Sequence, residues 1–304
     1  MAYPTPQVTN TTAAVFIPEI WSDEVIAAYK ANLVAANLFK KMSFKGKKGD
    51  TIHIPKPTRG EASLKASETA VTLIAATETE VIVPIDKHYE YSRFIEDITE
   101  VQALSSMRRF YTDDAGYALA KQVDTDMVQL GRVMNGSTKK DNTYDAGYVG
   151  GSPSSELYDG TNATALTDPA IRNMIQKLDD QDVPTSGRFF LIPPAARNTL
   201  MGLDRYTAMD FVGEAASANT IRNGQIGNLY GIPVYVTSNA DTTASGDRVC
   251  LMGHKDAAVL VEQLNVRSQT QYKQDYLSTL YTSDTIYGVK DLRNDSAFAL
   301  VVPA

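Results

Sequence analysis

One cysteine, one tryptophan and three histidines among 304 residues leave little material for the commoner catalytic and metal-binding chemistries. The lone Cys250 excludes an intramolecular disulfide, and between Val249 and Leu251 it reads as a small buried hydrophobe. His53, His88 and His254 fall at no spacing that chelates a metal, so neither a metal nor a cofactor is expected. There is no Gly-x-Ser-x-Gly elbow. Gly46-Lys47-Lys48-Gly49-Asp50-Thr51 misses the order of a P-loop, and Gly224, Gly227 and Gly231 fit no dinucleotide fingerprint. No run reaches the ~18 apolar residues of a membrane span. The first six residues carry no charged and apolar leader, which points to a soluble, cytoplasmic chain without membrane contact. Positive charge is also scarce. With 29 Lys and Arg against 36 Asp and Glu the net charge is −7, which argues against a protein that grips nucleic acid.

What is present is a substantial apolar fraction, 43%, enough for one large core or two modest ones. Residues 1–17 read as an extended arm. From Pro18 to Met42, Trp21, Val25, Ala28, Tyr29, Leu33 and Ala36 recur mostly every three or four residues, which predicts a helix ending near Lys40 and Lys41. Thr51–Pro55 and Glu80–Ile85 are β-branched strand sequences that flank a long, polar connection, a hairpin without apolar residues enough to cover its own sides. Its ordering therefore calls for a second chain beneath it. A helix of unusual length is expected from Glu96 to about Met134, at ~1.5 Å per residue some 58 Å long, without proline and with Gly116 and Gly131 as its weak points.

A Gly-, Ser- and Asn-rich stretch follows to Pro169. Helices are then expected over Ala170–Leu178 and Ala195–Met201, and strands over Arg188–Ile192 and Gly231–Val236. A long loop separates Asp204 from Gly227, and the tail is strand-rich at Ala258–Val261, Ser278–Tyr281 and Ala297–Val302. Asp124 and Asp126, two apart on the long helix, diverge around its axis and read as a solvated face or a contact between chains. Asp179, Asp180 and Asp182 read as a helix end and turn. Lys40, Lys41, Lys45, Lys47 and Lys48 form a cluster, followed along the chain by Glu61, Glu68, Glu78 and Glu80. A solvated loop and arm is one reading of these charges; contact between one subunit's lysines and another's glutamates is the other.

The order of parts resembles the major capsid protein of tailed double-stranded DNA bacteriophages. Pro18-Glu19-Ile20-Trp21, Gly49-Asp50-Thr51-Ile52, Ile95-Glu96-Asp97, Ala118-Leu119-Ala120 with Val123-Asp124, Phe190-Leu191-Ile192-Pro193-Pro194, Gly231-Ile232-Pro233-Val234 and His254-Lys255-Asp256-Ala257-Ala258 carry the resemblance. The layout is most similar to the coat proteins of short-tailed podoviruses. The resemblance implies an α+β, Hong Kong 97-type capsid fold with N-terminal arm, extended β-hairpin loop, long spine helix, peripheral and axial domains. Residues 1–48 would be the arm and its helix and 49–95 the extended loop. Residues 96–164 with 251–304 would be the peripheral domain, and 165–250 the axial domain.

It also implies self-assembly into pentamers and hexamers of an icosahedral head in the host cytoplasm. Partners would be a scaffolding protein, a portal protein, a decoration protein and packaged double-stranded DNA held without sequence-specific binding. Relatives that cross-link do so through a lysine-to-asparagine bond assisted by a glutamate. The matching stretch here, Gln274–Leu277 to Tyr281–Ser283, offers neither Asn nor Glu, so no cross-link is expected. Two alternatives stay open: an encapsulin-like nanocompartment shell, and a hydrolase working through Asp124, Asp126 or His254.

Overall fold

The structure, a computed structural model, describes residues 34–45, 49–57, 60, 62–71, 73, 78–98, 107–132, 143–145, 163–203 and 227–304. The expected arm, the first part of the Pro18–Met42 helix, Lys47, Lys48, Glu61, most of the stretch between Met134 and Pro169 and the loop from Asp204 to Ile226 lie outside the described residues.

The long helix, Met107–Leu130 as described, is packed between two sheets. A four-stranded sheet runs in the order β1 (Lys40–Ser43), β10 (Ala258–Lys273), β11 (Ser278–Asp291) and β4 (Lys87–Glu96). β10 and β11 form a long antiparallel hairpin closed by a 3-10 turn at Gln274–Tyr276; β1 joins β10 in parallel and β4 joins β11 antiparallel. Period-two alternation divides this sheet's faces. Leu260 and Tyr287 point to the long helix, into one core with Phe39, Met127 and Val128. Val259 and Val261 point the other way, to Val83, Ile52 and Ile54 at the root of the hairpin β2 (Thr51–Lys56) and β3 (Thr79–Pro84).

The second sheet has six strands in the order β5 (Thr143–Asp145), β12 (Ala297–Val302), β9 (Arg248–His254), β6 (Arg188–Ile192), β8 (Ile232–Val236) and β7 (Asn228–Leu229). Alternation again sorts its residues. Phe190, Ile192, Cys250, Met252, Phe298 and Leu300 face α3 (Asp168–Asp180) and α4 (Pro194–Met201), whereas Phe189, Leu191 and Leu251 face α2, the Met107–Leu130 helix. α3 starts where its sequence says it should. Thr167 accepts a bond from the Ala170 amide at 3.4 Å, Pro169 occupies the first turn with Asp168, and Lys177 sits in the last turn. In its last turn the Asp179 carboxylate accepts from Arg188 at 2.6 Å, and beyond its end Asp182 takes the left-handed region at φ 56°.

Two expectations of secondary structure need correction. Lys40 and Lys41 are not the end of a helix. The only described helical turn there is α1 (Ala35–Leu38); Lys40–Ser43 is extended, because pairing with Val259–Glu262 lets Met42 pack beside Val259 and Val261. Glu96 does not open the long helix but closes β4, paired with Ser278; Asp97 and Ile98 directly after it are helical, and residues 99–106 of the expected helix lie outside the described residues. The hairpin therefore runs not into the helix but into a ten-residue strand first. The strand's Tyr89, Tyr91 and Ile95 alternate towards the protein, a period-two signal broken on that face by the exposed Arg93 and on the outer face by Phe94 among His88, Glu90, Ser92 and Glu96.

Candidate functional site

The candidate acids Asp124 and Asp126 and the histidine His254 each meet hydrogen-bond partners within the chain. Asp124 and Asp126 are both buried, which overturns the expectation of a solvated face or a contact between chains. Asp124 accepts a bond from the Ala36 amide at 3.1 Å and another from the Asn239 side chain at 3.0 Å. Asp126 accepts from Lys87 Nζ at 2.9 Å, Tyr287 OH at 2.7 Å and Gln122 Nε2 at 3.1 Å. The two do diverge around the helix, but each meets a different buried partner set. Burial, reinforced by the Asp126 carboxylate, pushes the Tyr287 phenol well above its usual range. The signal was available: Asp124 stands three before Met127 and four before Val128, on the buried stripe itself. A buried carboxylate must be paired, and here it pins the α1 turn, β4 and the Thr237–Asp241 segment to the helix.

His254 is buried, with its Nε2 2.9 Å from the Ser186 carbonyl oxygen; His88 lies 3.2 Å from Asp284. The carboxylate of Asp284 also receives both Arg267 Nε at 3.0 Å and Nη2 at 2.8 Å, and this guanidinium holds its pKa below the usual range. Burial alone pushes the Cys250 thiol up, as befits an inert core residue. Among the described residues no group of three or more His, Cys, Asp or Glu is placed to hold a metal ion.

The surface features are the hairpin and the lysines. β2 and β3 pair from Thr51 with Pro84 to Lys56 with Thr79, as their sequence predicts. The root is fastened to the four-stranded sheet. Val83 is fully buried, and Gly288 lies so close beneath Pro84 that an added Cβ would sit 2.2 Å from the Pro84 carbonyl oxygen. Beyond Lys56 and Thr79 the character changes, and every described residue of the connection is exposed, Leu64, Val71 and Leu73 among them. Glu68 takes φ 63° there.

Lys40, Lys41 and Lys45 are exposed on and just after β1. Glu68, Glu78 and Glu80 are exposed on the hairpin, and a Glu80 carboxylate oxygen lies 3.0 Å from His53 Nδ1. Lys41 donates to Asn37 at 2.7 Å; no bond or ion pair joins the described lysines to the described hairpin glutamates within the chain.

Residues 94–299 match the family model of the phage capsid protein. That span is more than half of the chain, and the chain belongs to the phage capsid protein family. Solved structures carry the same fold. The chain is 24% identical to a protein of Mycobacterium phage Che8, with a TM-score of 0.75 over 94% of this chain and 97% of that one. A capsid protein of cyanophage P-SCSP1u shares 20% identity and a TM-score of 0.75 over 99% of each chain. One of cyanophage Pam1 shares 13% and 0.69, over 96% of this chain and 98% of that one. Comparison with curated proteins gives no match. The fold is of the Hong Kong 97 type and the protein is a structural component of a bacteriophage capsid.

Proposed function

We propose that this is the major subunit of an icosahedral phage head, assembling as pentamers and hexamers around double-stranded DNA in the host cytoplasm. The observation that carries this reading is the hairpin. Its root is anchored in the subunit, while its far part holds Leu64, Val71 and Leu73 out in solvent. Two strands with an apolar far end gain little alone and gain much when laid on another chain. Lys40, Lys41, Lys45, Lys47 and Lys48, together with Glu61, Glu68, Glu78 and Glu80, are contact residues between copies in this reading, orienting neighbours more than stabilising them. In this division 1–48 is the arm, 49–95 the extended loop, 96–164 with 251–304 the peripheral domain and 165–250 the axial domain.

An overall negative charge suits a container, since an acidic lining leaves the packed DNA free to move. A scaffolding protein, a portal and a decoration protein complete the set of partners. Negative-stain microscopy of the purified chain, alone and with a co-expressed scaffolding protein, tests the reading. Closed shells of uniform size are expected, and a chain that stays monomeric in both conditions contradicts it.

A further inference from the structure

Beside the long helix, one stretch of the four-stranded sheet lies open as a groove of ≈ 430 Å³, between the α1 turn, residues 119–124 of α2 and the first part of β10. Leu119, Ala120, Val123, Leu260 and Val266 give it apolar walls, and Ala120 and Val266 are exposed. Its polar members are mostly answered from within the chain. Asp124 accepts from the Ala36 amide and the Asn239 side chain, Lys41 donates to Asn37, and Tyr287 donates to Asp126. Glu262 is the further charge on the lining, so a guest must bring an apolar face and hold its own acids away from it.

The chain that arrives at this groove carries such a face. The α1 turn begins at Ala35, and the Ala36 amide bonds Asp124 instead of a carbonyl in a preceding helical turn, so the amino-terminal end of α1 faces the groove lining. Residues 1–33 precede that end. Within them Trp21, Val25, Ala28 and Tyr29 share one face of the helix expected from sequence, at roughly 100° per residue, and Glu19, Asp23 and Lys30 fall on the opposite face. The lengths agree as well. As a helix, Trp21 to Leu33 would span roughly 18 Å, and β10 from Leu260 to Val266 spans roughly 20 Å.

We propose that the N-terminal segment Trp21–Leu33 docks in the groove of its own copy, Leu33 towards Leu260 and Trp21 towards Val266, with Glu19 and Asp23 turned to water. The groove is then the seat of the chain's own arm, filled in the free subunit before any neighbour arrives. This inference goes beyond the shell reading and does not depend on it, because it concerns a single copy.

Trp21 is the chain's single tryptophan and therefore its own probe. In the dilute, unassembled full chain its emission should lie to the blue of an exposed indole. Acrylamide should quench it about threefold less than it quenches tryptophan in a short peptide, at every protein concentration tested. Ala120→Arg and Val266→Asp, both at exposed positions of the groove, are each expected to shift the emission to the red and raise quenching about threefold, with the denaturation midpoint of the core unchanged. Leu64→Ser on the hairpin is the control and should change neither reading. A Trp21 as readily quenched as the peptide's, or shielding indifferent to both groove variants, overturns the proposal. Shielding that disappears on dilution assigns the groove to a second copy's segment and overturns it too.

Discussion

Every residue of β6 and β12 is buried, and six of the seven in β9, whereas every described residue between Lys56 and Thr79 is exposed. Both regions contain strand-forming, β-branched sequence. They differ in what covers them: the six-stranded sheet finds α3 and α4 on one face and the long helix on the other, and the hairpin finds a partner only at its root. One half of the molecule is finished as a monomer. The other presents apolar side chains that a second copy can cover, and this division between a completed core and an incomplete arm is what a shell subunit requires.

The contrast is sharpest in core truncation. Phe190→Ala, in the middle of the fully buried strand, is expected to cost about 3–5 kcal/mol in chemical denaturation, while Leu73→Ala on the hairpin stays within about 0.5 kcal/mol. Equal costs would erase the distinction between the two regions.

Gly288→Ala addresses the junction between them. Its Cβ would meet backbone, the Pro84 carbonyl at 2.2 Å, so the root of the hairpin must shift, at a cost of about 1–3 kcal/mol. Hydrogen exchange should quicken in Thr51–Lys56 and Thr79–Pro84 more than in Arg188–Ile192. Uniform quickening would show that the root and the core are one unit.

Asp124→Ala leaves the Ala36 amide and the Asn239 side chain without their buried acceptor, an expected loss of about 1–3 kcal/mol. The amide of Ala36 should lose exchange protection in this variant; unchanged protection would mean that the α1 turn is held by packing alone.

The smallest effect is the pH dependence of Asp284. Its folded pKa is depressed, principally by Arg267, so its contribution is present above the ordinary carboxylate value of about 4 and is lost as pH falls through the lower folded value. Asp284→Asn should flatten the stability profile below about pH 4. An identical acid limb in variant and parent would remove Asp284 from the account.

The covered region was also the more legible in sequence. Arg188–Ile192 and Ala297–Val302 coincide with their predicted strands, and Asp168–Asp180 contains the predicted helix, because a continuous apolar run or a clean helical stripe is a local property. The hairpin strands were legible too, from β-branched residues bounded by proline. What escaped depended on distant partners. β4 is paired to a strand nearly two hundred residues later and shows polar side chains to water, so little in its composition declares it. Lys40–Ser43 is extended only because β10 is there to receive it.

The buried acids are the extreme case. Asp124 is satisfied by a backbone amide 88 residues earlier and a side chain 115 later; its place on the apolar stripe marks it as buried, but nothing local names those partners. Of the candidate contact residues, Lys40, Lys41, Lys45, Glu68, Glu78 and Glu80 lie on the surface where a neighbour could reach them, and Glu80 already has His53.

The central claim, that the hairpin is completed by another copy, is tested most directly by limited trypsin digestion of free subunits and assembled shells side by side. Lys65 is exposed in the far part of the hairpin, so cleavage after it should be fast in the free subunit. In shells it should slow by about tenfold or more, since a covered segment must first detach, while sites outside the proposed contacts keep their rates. Equal rates of cleavage after Lys65 in the two states would contradict the account.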